Sequence, residues 1–258
     1  MLIDSHCHLN YPGLIESQAD VLARARSVGV GGFLNISTKF ADWSGIISTA
    51  EREKDVWATV GIHPHEADAH ANVTSEALIE AAKHPRVIGL GETGLDYFHE
   101  NSDRSRQKSL FKQHIAAARE LNIPVVIHSR DAEEDTLETL AEGLKAGSFP
   151  ALLHCFTGTA RFAEQILNLG LLISLSGIIT FKNAKDLQAV ATSIPADRLL
   201  IETDSPFLAP VPFRGRVCEP AHLISTCEFI ADLRGETPEQ VAAQTSRNFF
   251  GLFRKASL

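Results

Sequence analysis

Two histidines, His6 and His8, flank Cys7 directly after a short apolar run. In extended backbone, side chains alternate between faces, so residues two apart can chelate one cation while the residue between them turns away. A lone H-x-H pair is weak grounds for a metal site, since such pairs also occur on ordinary surfaces. Other apolar runs, however, close in the same chemical manner. They end Gly91-Glu92, Ile127-His128-Ser129, Leu153-His154-Cys155 and Ile201-Glu202-Thr203-Asp204-Ser205-Pro206. Any one of these groups reads equally well as a solvated polar residue at the start of a loop. If they converge, His6, His8, Glu92, His128, His154 and Asp204 supply more donors than one tetrahedral centre needs. A pair of divalent cations ~3.5–4 Å apart would share them, with a bridging carboxylate between. Glu92 is the candidate bridge. Such a pair activates water and stabilises charge on a phosphoryl group and its leaving oxygen, which is the chemistry of phosphodiester hydrolysis.

Convergence requires elements that bring distant residues to one place. Apolar or β-branched runs recur at residues 2–4, 32–36, 56–61, 87–91, 125–127, 152–153, 171–175 and 199–201. Between them lie amphipathic, helix-length segments at 14–28, 42–54, 75–84, 104–121, 132–145, 161–169 and 184–194, with final helices near 222–233 and 238–252. Gly29, Pro85, Pro124 and Gly170 punctuate the joins. Strands alternating with helices predict parallel βαβ units. Eight of them predict a (β/α)8 TIM barrel, whose strand ends meet at one C-terminal rim. An open doubly wound sheet would alternate in the same way, but its phosphate-binding form needs a glycine fingerprint after the first strand. Here that strand runs into Asp4-Ser5-His6-Cys7-His8. The expected architecture is a single barrel domain over residues 1–258, with the metal site at the C-terminal rim.

Composition narrows the partners. A chain of 258 residues with 44% hydrophobic content can bury a barrel-sized core and has little material for a second domain. The net charge of −8 argues against a broad basic surface gripping long duplexes, so a nucleic-acid substrate is expected to be engaged locally. Cys7, Cys155, Cys218 and Cys227 lack C-x-x-C spacing, which points to reduced thiols rather than a disulfide framework or a cysteine zinc site. With no long apolar segment and no basic-then-apolar start, the chain reads as cytoplasmic, without a membrane or an obligate protein partner.

The motifs Asp4-Ser5-His6-Cys7-His8-Leu9, Gly61-Ile62-His63-Pro64-His65, Gly91-Glu92-Thr93-Gly94-Leu95-Asp96-Tyr97, His128-Ser129-Arg130, His154-Cys155-Phe156-Thr157-Gly158 and Glu202-Thr203-Asp204-Ser205-Pro206 together resemble those of the TatD-type metal-dependent deoxyribonucleases of the amidohydrolase superfamily. The likeness runs along essentially the whole chain. It implies a first metal on His6, His8, Glu92 and Asp204, and a second on Glu92, His128 and His154. It further implies that Asp204 orients or deprotonates the attacking water, that Mg2+ is the working cofactor, and that DNA is hydrolysed from a 3′ end, single-stranded or frayed. Four histidines, on their own chemistry, suit Zn2+, Mn2+ or Fe2+ better than Mg2+.

Outside this set, His63 is a candidate for contacting phosphate or the leaving group, and His65 a weaker one. Arg130 is open between a phosphate contact and an ion pair with Asp131 or Glu133. Glu202 and Asp96 are read as orienting the ligands. The loop Arg214-Gly215-Arg216-Val217-Cys218-Glu219-Pro220 keeps the frame of a family pattern close to R-G-K-R-N-E-P but has Val217 and Cys218 where that pattern has a cation and an amide. Related barrel hydrolases bridge their metals with a carboxylated lysine, whereas no lysine stands near Glu92; PHP-type phosphoesterases share the first motif only. A hydrolase of small phosphoesters, amides or lactones on the same site is the alternative, and a non-catalytic metal-binding module must explain why every ligand position and the candidate base are present.

Overall fold

The computed structural model describes residues 1–257. Eight parallel strands follow one another in sequence order around one sheet. They are β1 (Leu2–Cys7), β2 (Val30–Asn35), β3 (Val56–Val60), β4 (Val87–Asp96), β5 (Val125–Arg130), β6 (Ala151–Leu153), β7 (Leu172–Leu175) and β8 (Leu199–Ile201). The helices between them are α1 (Gln18–Ser27), α2 (Trp43–Arg52), α3 (Ser75–Ala82), α4 (Arg104–Leu121), α5 (Glu133–Lys145), α6 (Ala160–Asn168) and α7 (Lys185–Ser193), and α8 (Leu223–Arg234) and α9 (Pro238–Leu252) complete the chain. The sheet closes on itself just beyond β8. Cys7 and Ser205 form a parallel bridge, the His8 amide donates to the Ser205 carbonyl at 2.8 Å, and the Asp204 amide donates to the His6 carbonyl at 2.9 Å. The (β/α)8 barrel expected from the alternating pattern is therefore the observed fold. No helix among the described residues is long and apolar enough to cross a membrane.

Two apolar layers hold the barrel. Outward-facing strand residues such as Phe33, Val60, Ile127, Leu153 and Ile201 pack against the helices. Inside, Ile3, Leu34, Trp57, Val126, Leu152 and Leu200 form a second cluster that Phe249 and Phe253, from the end of α9, plug. Two residues further along each strand the same inward face turns polar: Val126 gives way to His128, Leu152 to His154, Leu172 to Ser174 and Leu200 to Glu202. The period of two thus seats an apolar floor beneath a polar rim.

Strand β1 departs from that rule in a way that matters. Ile3 belongs to the inner cluster and Cys7 to the outer, with a shift of register between Asp4 and Cys7. Unbroken alternation from Ile3 would send residues 6 and 8 out towards the helices; the extra residue reverses the sense, and both histidines face the lumen. Strand β4 also differs from expectation, running five residues past Gly91 to Asp96 with a second shift between Leu90 and Thr93. Glu92 accordingly sits inside a strand rather than in the loop after it. The backbone just before it tolerates only glycine. Gly91 has φ of +134°, and a Cβ there would lie 2.5 Å from the Val126 carbonyl oxygen. Gly91→Ala is expected to cost about 1–3 kcal/mol of stability and to lower bound metal by displacing Glu92. Calorimetry with metal analysis checks this, and an unchanged melting temperature and metal content would refute it.

Candidate metal centre

Six side chains from five strand ends meet at the lumen's mouth. His6 Nε2 and His8 Nε2 lie 3.3 Å apart. Glu92 Oε2 is 3.5 Å from the former and 3.8 Å from the latter, and Asp204 Oδ1 is 3.5 and 3.4 Å from them. Metal–ligand bonds of ~2.0–2.1 Å in a tetrahedron put neighbouring donors about 3.4 Å apart. His6, His8 and Glu92, and likewise His6, His8 and Asp204, are therefore spaced as neighbouring donors to one divalent ion would be. The other Glu92 oxygen faces a second group: Oε1 is 2.7 Å from His154 Nε2, 3.2 Å from His128 Nδ1 and 3.4 Å from His63 Nε2. One carboxylate, almost wholly buried, turns a different oxygen to each cluster.

Hydrogen bonds to the far side of each ring assign which nitrogen is free to bind a cation, since a carbonyl or a charged carboxylate can only accept. His8 Nδ1 donates to the Ile36 carbonyl at 3.2 Å, leaving Nε2 a lone pair. His154 Nδ1 donates to Glu202 Oε1 at 3.3 Å, and Nε2, 2.7 Å from the Glu92 carboxylate, carries a second proton that a bound cation would displace. His128 is held the other way round, with Nε2 donating to Asp96 Oδ2 at 3.1 Å and Nδ1 facing Glu92. His63 differs in kind. Its Nδ1 accepts the His65 amide at 3.1 Å, so Nε2 carries the hydrogen and is a donor rather than a ligand. His6 Nδ1 is buried without a hydrogen-bond partner among the described residues.

The electrostatics suit a cation. Burial alone would raise the Glu92 carboxyl, but His154, His63 and His128 hold it well below the usual carboxylate range. Asp204 is likewise held below its ordinary value, against the effect of burial, by His8 and His6. Burial is overcome at His154, which Glu92 and Glu202 push well above an ordinary imidazole, and at His128, which Asp96 and Glu92 push up. His6 and His63 stay neutral because burial dominates, and His63 falls to about 4. A pocket that draws protons onto buried imidazoles this strongly is one that positive charge stabilises.

Glu202 and Asp96, expected to orient the ligands, each hydrogen-bond a histidine of the cluster, and one is busier than expected. Glu202 accepts from His154 and, at 2.5 Å, from the Ser174 hydroxyl. Removing its charge while keeping its shape, in Glu202→Gln, is expected to weaken metal binding roughly 10- to 100-fold. Competition with a chromophoric chelator measures this, and unchanged affinity would contradict the assignment. Asp96 takes His65 and His99 at 2.9 Å on the oxygen that also holds His128, while its other oxygen accepts the amides of Phe98 and His99. His65, given little weight from sequence, is thus tied to the centre through Asp96. His99 was not singled out at all, and only the nearby Gly94-Leu95-Asp96 motif could have drawn attention to it. A further buried histidine, His114, accepts the Ile62 amide at 3.2 Å and so positions the loop that carries His63.

The centre opens into a cavity of 480 Å3 whose wall includes His63, Arg130, Tyr11 and Phe207. Arg130 is its one arginine or lysine among the described residues. The guanidinium lies 5.0 Å over the Phe98 ring, its Nε is buried without a hydrogen-bond partner, and Asp131 is distant at 4.0 Å. Glu133 is occupied elsewhere, accepting the amide and hydroxyl of Thr159 at 2.7 and 2.8 Å. Neither pairing considered from sequence ties the fork down. Cys218 is buried with its thiol pushed up by burial, so it is a passive thiol, while Val217 is half-exposed beside Gly13.

Comparison with known proteins accords with this geometry. Residues 3–254 match the family described as "TatD related DNase". A protein of Escherichia coli strain K12 named "uncharacterized metal-dependent hydrolase YcfH" is 41% identical over 255 residues, 98% of this chain and 95% of the relative. The "3'-5' ssDNA/RNA exonuclease TatD" of Klebsiella pneumoniae strain 342 is 35% identical over 240 residues, 91% of this chain and 90% of that one. Among solved structures, the TatD homologue YJJV of Escherichia coli K12 superposes with a TM-score of 0.91 at 28% identity, covering 98% of each chain.

Proposed function

Because the chain belongs to the TatD-related DNase family of metal-dependent hydrolases, we propose that it removes nucleotides from the 3′ end of single-stranded or frayed DNA at a two-metal centre. The observation that carries this reading is the division of Glu92 between two donor groups, with ring nitrogens oriented by hydrogen bonds on their far sides. His6, His8, Glu92 and Asp204 would hold one ion, and Glu92, His128 and His154 the other. Bound there, the ions supply the Lewis acidity that activates water and offsets charge on the phosphoryl oxygens. The donor set, rich in imidazole, suits Mn2+ or Zn2+ better than Mg2+.

The remaining work falls to side chains. Asp204 turns Oδ1 to His6 and His8, and its second oxygen is left to take the proton of the attacking water. His63 presents Nε2–H beside Glu92, placed to donate to a phosphoryl or leaving oxygen. Arg130 offers a planar fork, its Nε without a hydrogen-bond partner, to the non-reacting oxygens of the phosphate. An acidic protein with one arginine and no lysine in the cavity wall among the described residues is suited to a strand end rather than a tracked duplex.

The direct test is metal-depleted protein with Mg2+, Mn2+ or Zn2+ restored, acting on single-stranded DNA labelled at its 5′ end. Metal-dependent stepwise shortening is expected. Intact DNA under every metal, with hydrolysis of a small phosphodiester, carboxylic ester or lactone, would overturn the nuclease reading in favour of a small-molecule hydrolase.

A further inference from the structure

Phe207 is half-exposed at the edge of the catalytic cavity, an unusual place for a large apolar ring beside a cluster of charged ligands. Its position is not left to chance. The Phe207 amide donates to the Asp204 carbonyl at 2.9 Å, which sets the ring three residues from a metal-centre carboxylate. Behind it, the Cys218 amide donates to the Pro206 carbonyl at 3.0 Å and anchors the segment that leads into it. Tyr11 stacks on His8 with ring centres 4.7 Å apart, and its hydroxyl is held by Thr38 at 2.6 Å. Phe207 stands at 90° to Tyr11 and 71° to His8, with centres 6.0 and 6.2 Å away. The result is an L-shaped aromatic corner whose inner arm rests on a metal-centre histidine and whose outer arm faces solvent.

Charge decides what such a corner is for. With Arg130 the one arginine or lysine in the cavity wall among the described residues and a net charge of −8, little affinity for a polyanion can come from counterion release. Beyond the scissile phosphate, which the metal ions and Arg130 would engage, a strand end is then held largely through its bases. Aromatic rings do this without reading sequence, since every base has a π-face.

We infer that Phe207, braced by Tyr11, stacks on the unpaired base of the nucleotide next to the scissile phosphate and so makes the enzyme select single-stranded, base-bearing ends. This rests on the nuclease reading above. It assigns Phe207 to substrate positioning and Arg130 to phosphate, so that base and backbone are gripped on different sides of the metal centre. A paired base, stacked within its own helix, cannot lay its face on the ring until the end frays.

The test uses fluorescence anisotropy with two oligonucleotides carrying cleavage-resistant phosphorothioate linkages, an oligothymidylate and its abasic counterpart of equal length and charge. Wild type is expected to bind the base-bearing strand roughly 5- to 150-fold more tightly, the range of single base-on-ring contacts. Phe207→Ala should erase that difference by weakening only the base-bearing strand, and Phe207→Tyr should keep it. A preference for bases that survives Phe207→Ala, or an equal loss for both strands, would overturn the assignment while leaving the nuclease reading intact. A wild type that binds neither strand and does not shorten the unmodified oligothymidylate would instead sink the nuclease reading, and this inference with it.

Discussion

Glu92→Gln is expected to abolish DNA hydrolysis and to remove at least one metal ion from the protein, with the fold retained. The substitution keeps the volume and one carbonyl oxygen, so His6 and His8 still have an acceptor-shaped neighbour. It removes the charge that faces both donor groups and replaces one oxygen by an amide nitrogen with no lone pair for a cation. Each ion's charge stabilisation is worth several kcal/mol in the transition state. A rate loss of ~10³-fold or more follows, since every 1.36 kcal/mol is tenfold. The cost cannot be confined to one site, because Glu92 Oε2 belongs to the His6–His8 group and Oε1 to the His128–His154 group. Plasma emission analysis of the purified variant beside single-turnover DNA cleavage reads both effects. Full occupancy with wild-type rate would remove Glu92 from the centre.

Asp204→Asn separates proton transfer from metal binding. The residue has φ of +55°, a left-handed conformation that asparagine adopts with little strain and alanine does not, so the amide is the informative substitution. Its carbonyl can still face His6 and His8, but no atom is left to take a proton. Held below its ordinary value by His8 and His6 despite burial, the native carboxylate is ionised throughout the neutral range. A general base typically contributes 10²- to 10⁴-fold, and kcat should fall by about that much while KM changes less. Unaltered turnover would show that another group activates the water.

Much of this was readable from residue order, and the reasons for the exceptions are physical. Alternation of apolar runs with amphipathic segments predicted the barrel, because each element must bury one face and a parallel sheet needs helical crossovers. Polar residues ending those runs predicted which side chains cluster at the candidate metal centre, because parallel strands bring their ends to one rim. The sense of β1 was not readable: the shift between Asp4 and Cys7 that turns His6 and His8 inward depends on pairing with β2 and leaves no mark in the pattern. The extension of β4 to Asp96 was hidden in the same way, because Glu92-Thr93-Gly94 lacks an apolar period. Asp96 takes His99 from three residues on, but His65 and His128 reach it from just beyond β3 and from the end of β5, the neighbouring strands, contacts set by strand pairing rather than by local sequence. The difference between His63 and the candidate ligand histidines lies in which ring nitrogen meets a backbone amide, and composition carries no trace of it.

The central claim is a pair of ions bridged by Glu92. Titrating metal-free protein with Mn2+ and following electron paramagnetic resonance tests it without relying on catalysis. The account predicts uptake of two equivalents with a spin-coupled spectrum of two ions ~3.5–4 Å apart, lost in Glu92→Gln. Saturation at one equivalent with an isolated-ion spectrum, or two uncoupled ions, would contradict it.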